Sequence, residues 1–204
     1  MRERPILFKG PMVRAILEGR KTQTRRAVHP RHLRQINPGV SGCRPHWTNP
    51  MPFGHPGDRL WVRETHAIFP THGQHRADGE RWGPWGGLPT AVSPDGRQIA
   101  YFREGFDRCD PGSWHPSIHM PRWACRLVLE ITDVRVERLQ EISDADALAE
   151  GIQELNGRYT YNGGLQCRTA VGSFCALWES TGGDWEANPW VWVIGFKRVE
   201  GIDQ

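Results

Sequence analysis

Cys125-Arg-Leu-Val-Leu-Glu-Ile-Thr-Asp-Val-Arg-Val-Glu-Arg-Leu139 is the longest strand signal in the chain. Its β-branched Val128, Ile131, Val134 and Val136 favour extended backbone. Working outward, Trp190-Val-Trp-Val-Ile-Gly-Phe196 reads as a closing strand. Arg59-Leu-Trp-Val-Arg63 alternates like a strand after the turn Gly57-Asp58, and Pro5–Phe8 is a short apolar run. Helices are fewer. Pro11 suits a first helical turn, Val13, Ile16 and Leu17 share one helical face, and Gly19 suits a C-terminal cap. Ser143 and Asp146 form a capping-box-like start for a helix ending near Gly151. Val171, Phe174, Cys175 and Trp178 mark a face of another, stopped by Gly182-Gly183. The expected strands lie near 5–8, 59–63, 124–137 and 189–198, and the expected helices over 11–19, 143–151 and 170–181. That order does not suit a doubly wound sheet. The fold class is α+β, a small barrel-like domain with flanking helices. Residues 29–58 read as loop. Residues 66–122 read as irregular, with turns at Gly83–Gly87 and Pro94–Gly96 and one short strand at Gln98–Phe102. Lacking an apolar period of its own, this segment reads as an insertion at about 66–122 in a single domain spanning 1–204.

The bulk properties exclude several classes. A length of 204 residues suits one domain with a real core. Five cysteines, an odd number at wide spacing with no CxxC, argue against a disulfide framework or a zinc knuckle. His115 and His119 flank a proline and read as structural, so no metal or other cofactor is expected. No apolar run approaches membrane-spanning length and the N-terminus has no apolar leader, so the cytoplasm is the expected compartment. A net charge of +3 alone does not imply nucleic acid, but its distribution is uneven. Arg14 to Arg34 carries seven cations against Glu18 alone, whereas Glu137 to Glu154 carries six carboxylates against Arg138. Such runs are solvated faces or meet each other across a cleft.

Glu18-Gly-Arg-Lys-Thr-Gln-Thr-Arg-Arg-Ala27 is the stretch with the most chemistry. Following the first helix, Lys21 to Thr24 is expected in a tight exposed turn. A hydroxyl needs a base to act as a nucleophile, and a lysine crowded by other cations has a lowered pKa. Thr24 as nucleophile and Lys21 as base is a pairing that splits amides. Such a reaction also needs an acid for the leaving amine. Glu150 and Glu64 are the candidates, each otherwise a surface salt bridge. Alternatively Arg20, Arg25 and Arg26 hold a phosphate, with Trp61, Trp190 or Trp192 stacking on a base. A tryptophan on a strand otherwise belongs to the core.

Pro11-Met-Val-Arg-Ala-Ile-Leu-Glu-Gly-Arg-Lys-Thr-Gln-Thr-Arg-Arg26 resembles the signature of the ASCH domain family. Gly57–Glu64, Ala149–Ile152 and Asn188–Phe196 are similar to its later blocks, and Ser117-Ile-His-Met-Pro121 to its longer members in phages and prophages. The resemblance implies a PUA-like fold, a small β-barrel with flanking helices, often linked to RNA. One branch of the family is an amidohydrolase acting on N4-acetylcytidine through a Lys-Thr-x-Thr turn. Its base, nucleophile and acid fall on Lys21, Thr24 and Glu150. The partner implied is a small nucleoside substrate or RNA.

Overall fold

The long strand signal folds as expected, and its neighbours explain why. In a computed structural model that describes residues 1–33, 36–37, 46–47, 51–75, 81–108 and 112–199, the elements follow in chain order. They are β1 (Glu3–Leu7), α1 (Gly10–Leu17), β2 (Gln23–Ala27), α2 (Pro30–Leu33), β3 (Ile36–Asn37), β4 (His46–Trp47), β5 (Arg59–Arg63), β6 (His66–Pro70), β7 (Gln74–His75) and β8 (Arg81–Trp82). There follow β9 (Thr90–Val92), β10 (Gln98–Phe102), β11 (Val128–Arg138), α3 (Asp144–Ala149), β12 (Gln153–Leu155), β13 (Arg158–Thr160), α4 (Ala170–Ser180) and β14 (Trp190–Arg198). The fold is mixed α+β and mostly sheet. Among the described residues no sheet closes into a barrel. No described helix is long and apolar enough to cross a membrane.

The chain divides into two compact units. The first comprises Met1–Arg2, Ala15–Arg59 and Glu130–Arg198. Within it β14 lies between β11 and β2. Strands β14 and β2 are antiparallel, with Ile194 opposite Thr24 and Trp192 opposite Arg26. Val191 to Ile194 are all buried, so β14 is covered on both faces. Helix α3 starts where Ser143 Oγ accepts the Asp146 N–H at 3.1 Å, the cap the sequence indicated. Helix α4 is capped likewise by Thr169 and buries Phe174, Leu177 and Trp178. Between them the hairpin β12–β13 turns on Asn156 (φ 53°) and Gly157 (φ 71°), both left-handed as a two-residue Asn-Gly turn requires.

The second unit comprises Glu3–Arg14, Leu60–Leu129 and Val199–Gln204. Strand β1 lies beside β5, where Leu60 and Val62 are buried and Trp61 and Arg63 face the other way. The stretch 66–122 is more ordered than its sequence suggests. Strand β10 pairs antiparallel with both β6 and β9. Phe69 and Tyr101 pack with Trp85, Phe106 and Trp114 as a cluster of edge-to-face rings. This segment therefore has a core of its own, built from aromatic contacts and not from a sequence period.

Candidate active site

The site grows from the end of α1. Gly19 (φ 74°) turns the chain, and the Arg20 and Lys21 N–H groups donate to Ala15 O at 2.9 and 3.0 Å. Lys21 then pairs as an isolated antiparallel bridge with Glu150, the residue capping the end of α3. The Thr22 N–H donates to Ala149 O at 2.9 Å. Gly151 (φ 98°) makes this approach possible, since a Cβ there would lie 3.0 Å from Ala15 Cβ and 3.2 Å from Lys21 Cβ. The block Ala149-Glu-Gly-Ile152 is thus a docking element for the lysine.

The expected exposed turn is corrected here: Lys21 is 3% exposed, Thr24 1% and Glu150 2%, and Gln23–Ala27 is a strand. The physical reason is that every charge taken inside finds a partner. Lys21 Nζ donates to Gln23 O and Glu150 O, each at 2.8 Å, and to Glu150 Oε2 at 2.7 Å. Burial pulls the Lys21 ammonium below its ordinary value, while Glu150 pulls the other way. Arg25 is also buried. It donates to Glu150 Oε1 at 3.2 Å and meets Asp146 at 3.3 Å and Glu137 at 3.4 Å, and its charge lies 5.8 Å from the centre of the Phe174 ring. Burial pushes the Asp146 carboxyl up, but the Gln23 hydrogen bond and the Arg25 charge leave it below the ordinary carboxylate value.

Alternation along β2 puts Gln23 and Arg25 on the face of Asp146 and Glu150, and Thr24 on the other, with its cross-strand partner Ile194. Among the described residues no hydrogen bond joins the Thr24 hydroxyl to Lys21. The opposed charge runs do meet, but as a buried ion-pair network. Arg20 donates to Glu18 and to Gly151 O. Arg26 is half-buried, and burial pulls its guanidinium below the ordinary value.

The remaining sequence candidates separate. Trp192 is 1% exposed and belongs to the core, so stacking on a ligand is not open to it. Trp190 is half-buried under Arg138, 4.4 Å from its ring centre. In the second unit, Trp61 lies between Arg63 at 5.4 Å and Arg122 at 5.8 Å. Glu64 is held there by Arg126 through two bonds of 2.9 and 2.7 Å, and burial pushes its carboxyl up against that pairing. Sequence reasoning missed Arg126 and the Asp146–Arg135 pair (3.1 Å), whose partners are local only in space. Cys125, Cys167 and Cys175 are free thiols, while Arg34, Cys43 and Cys109 lie outside the described residues. Among the described residues no cluster of three or more His, Cys, Asp or Glu could hold a metal.

No family model matches the chain, and neither does any curated protein or solved structure compared with it.

Proposed function

We propose that the chain is an amidohydrolase that removes an acyl group from N4-acylated cytosine nucleosides or similar small amides. The observation that carries this reading is the buried 2.7 Å bond between Lys21 Nζ and Glu150 Oε2. A low-polarity surround disfavours two charges relative to two neutral groups. Moving one proton along that bond makes Lys21 a neutral amine and Glu150 a carboxylic acid, the base and the acid that amide cleavage needs. The amine takes the proton of Thr24 Oγ1, and Oγ1 attacks the acyl carbon. As the C–N bond breaks, Glu150 gives its proton to the departing N4. Lys21 then passes the proton it took back to the Glu150 carboxylate and is again a neutral amine. It takes a proton from water, whose oxygen attacks the acyl-threonine ester, and returns that proton to Thr24 Oγ1 as the ester C–O bond breaks. Thr24 lies on the other face of β2 from the Glu150 network, so this chemistry requires Lys21 or Thr24 to change conformation when substrate binds, bringing Oγ1 within reach of Nζ. The PUA-like barrel and the cytoplasmic setting that the sequence leads one to expect belong to the same proposal.

A second reading is an RNA- or nucleotide-binding module without catalysis. Trp61 with its two flanking guanidiniums favours it, as an aromatic platform beside cations. Hydrolysis of N4-acetylcytidine decides between them. Wild-type protein should release cytidine and acetate, and Thr24→Ala should lower turnover by about 10²-fold or more. Wild-type protein that releases no cytidine, yet binds RNA in a salt-dependent way, ends the enzyme reading.

A further inference from the structure

The second unit holds a cavity of about 330 Å³ lined by Gly10, Pro11, Glu64, Thr65, Arg103 and Glu104. That volume lies at the lower end of small-molecule sites. Its charges are unevenly satisfied. Both Glu64 oxygens are taken by Arg126. Glu104 Oε1 accepts from Arg14 Nε at 2.6 Å, but Glu104 Oε2 accepts no hydrogen bond among the described residues. A Cβ on Gly10 would lie 3.0 Å from that free oxygen, so the glycine keeps the space beside it open. Arg103 is exposed, and its charge lies over the Trp114 ring at 5.4 Å. It pairs with no carboxylate among the described residues. The residues lining the cavity therefore include a cation that pairs with no carboxylate and a carboxylate oxygen that accepts no hydrogen bond, both among the described residues. A ligand that satisfies both carries an anion and an N–H donor.

We propose that this cavity binds a cytosine nucleoside monophosphate, with its phosphate on Arg103 and its 4-amino group on Glu104 Oε2. The choice of base rests on the cytosine reading above. A guanidinium matches phosphate in geometry and charge, and a carboxylate is the side chain that accepts from the cytosine amine. Thr65 offers a hydroxyl to the sugar. The site shares no residue with the Lys21–Glu150 network, so it takes the deacylated nucleotide independently of the chemistry.

Isothermal titration of the full-length protein tests this with cytidine monophosphate, uridine monophosphate, cytidine and inorganic phosphate. Cytidine monophosphate should bind one to one. Uridine monophosphate, which lacks the amine, and cytidine, which lacks the phosphate, should each bind about tenfold more weakly or worse, having lost one charge-assisted bond. Arg103→Ala should bring the monophosphate down to the level of cytidine and leave cytidine unchanged. An absence of binding, equal affinity for the two monophosphates, or an Arg103→Ala protein that binds as well as wild type overturns the assignment. The deacylation assay on the same preparations separates the two proposals. Nucleotide binding without hydrolysis keeps this site and removes the enzyme, and hydrolysis without nucleotide binding does the reverse.

Discussion

Glu150→Gln removes one charge from the buried network and almost no volume. In wild type the carboxylate accepts from Lys21 at 2.7 Å and from Arg25 at 3.2 Å, with Lys21 and Glu150 side chains 2% and 3% exposed. Breaking a buried pair by removing one partner costs about 3–5 kcal/mol. Here the lower end applies. Lys21 keeps two carbonyl acceptors at 2.8 Å, and Arg25 keeps Asp146 and Glu137. A loss of about 3 kcal/mol lowers the melting temperature by about 6–12 °C in a chain of this size. Urea unfolding followed by tryptophan fluorescence measures it directly. The cycle with Lys21→Met isolates the pair: the double variant should be less destabilised than the sum of the singles by about 2 kcal/mol. A Glu150→Gln protein within about 0.5 kcal/mol of wild type, as for a surface substitution, refutes the claim that this carboxylate neutralises a buried lysine.

Three further outcomes follow from the same geometry. Because Lys21 titrates below its ordinary 10.5 when folded, the unfolded chain binds more protons in the window up to 10.5, and stability from this group rises with pH there. The difference in unfolding free energy between wild type and Lys21→Met should therefore shift in favour of wild type as pH rises toward 10.5, and a flat difference contradicts it. Gly151→Ala combines a φ of 98° with a 3.0 Å contact to Ala15 Cβ, and should cost about 2 kcal/mol or more in the same unfolding assay. Thr24→Ala should keep the wild-type circular dichroism spectrum while losing turnover, since its hydroxyl makes no hydrogen bond to Lys21 among the described residues; a lost fold would mean that the hydroxyl is structural.

The strands with strong apolar content were legible in the sequence, and so were the helix starts. Ser143 announces α3 by a local hydrogen bond, and local bonds leave local signatures. The burial of Lys21 was not legible, because its partner lies 129 residues away and nothing near Lys21 encodes it. A cation run looks like a solvated face until its carboxylates are found. The hairpin at Asn156-Gly157 does have a local signature, since that dipeptide suits two left-handed turn residues. The sheet β6-β10-β9 was hidden for another reason. Its strands are five, five and three residues long, too short for a period, and they are held by rings that meet only after folding. Arg103 gave no signal at all, because a cation that meets no carboxylate among the described residues is defined by what surrounds it.

Lys21 spends all three of its ammonium hydrogens on the strand–helix joint, one on Gln23 and two on Glu150. Any step that takes a proton from it must undo part of that joint. Reactivity and rigidity at this point therefore draw on the same three bonds, and substitutions that tighten the junction between α3 and β2 should yield a sturdier but slower protein. A selection for heat tolerance would drift toward inactivity here first, and a selection for speed would leave its mark as a looser end of α3.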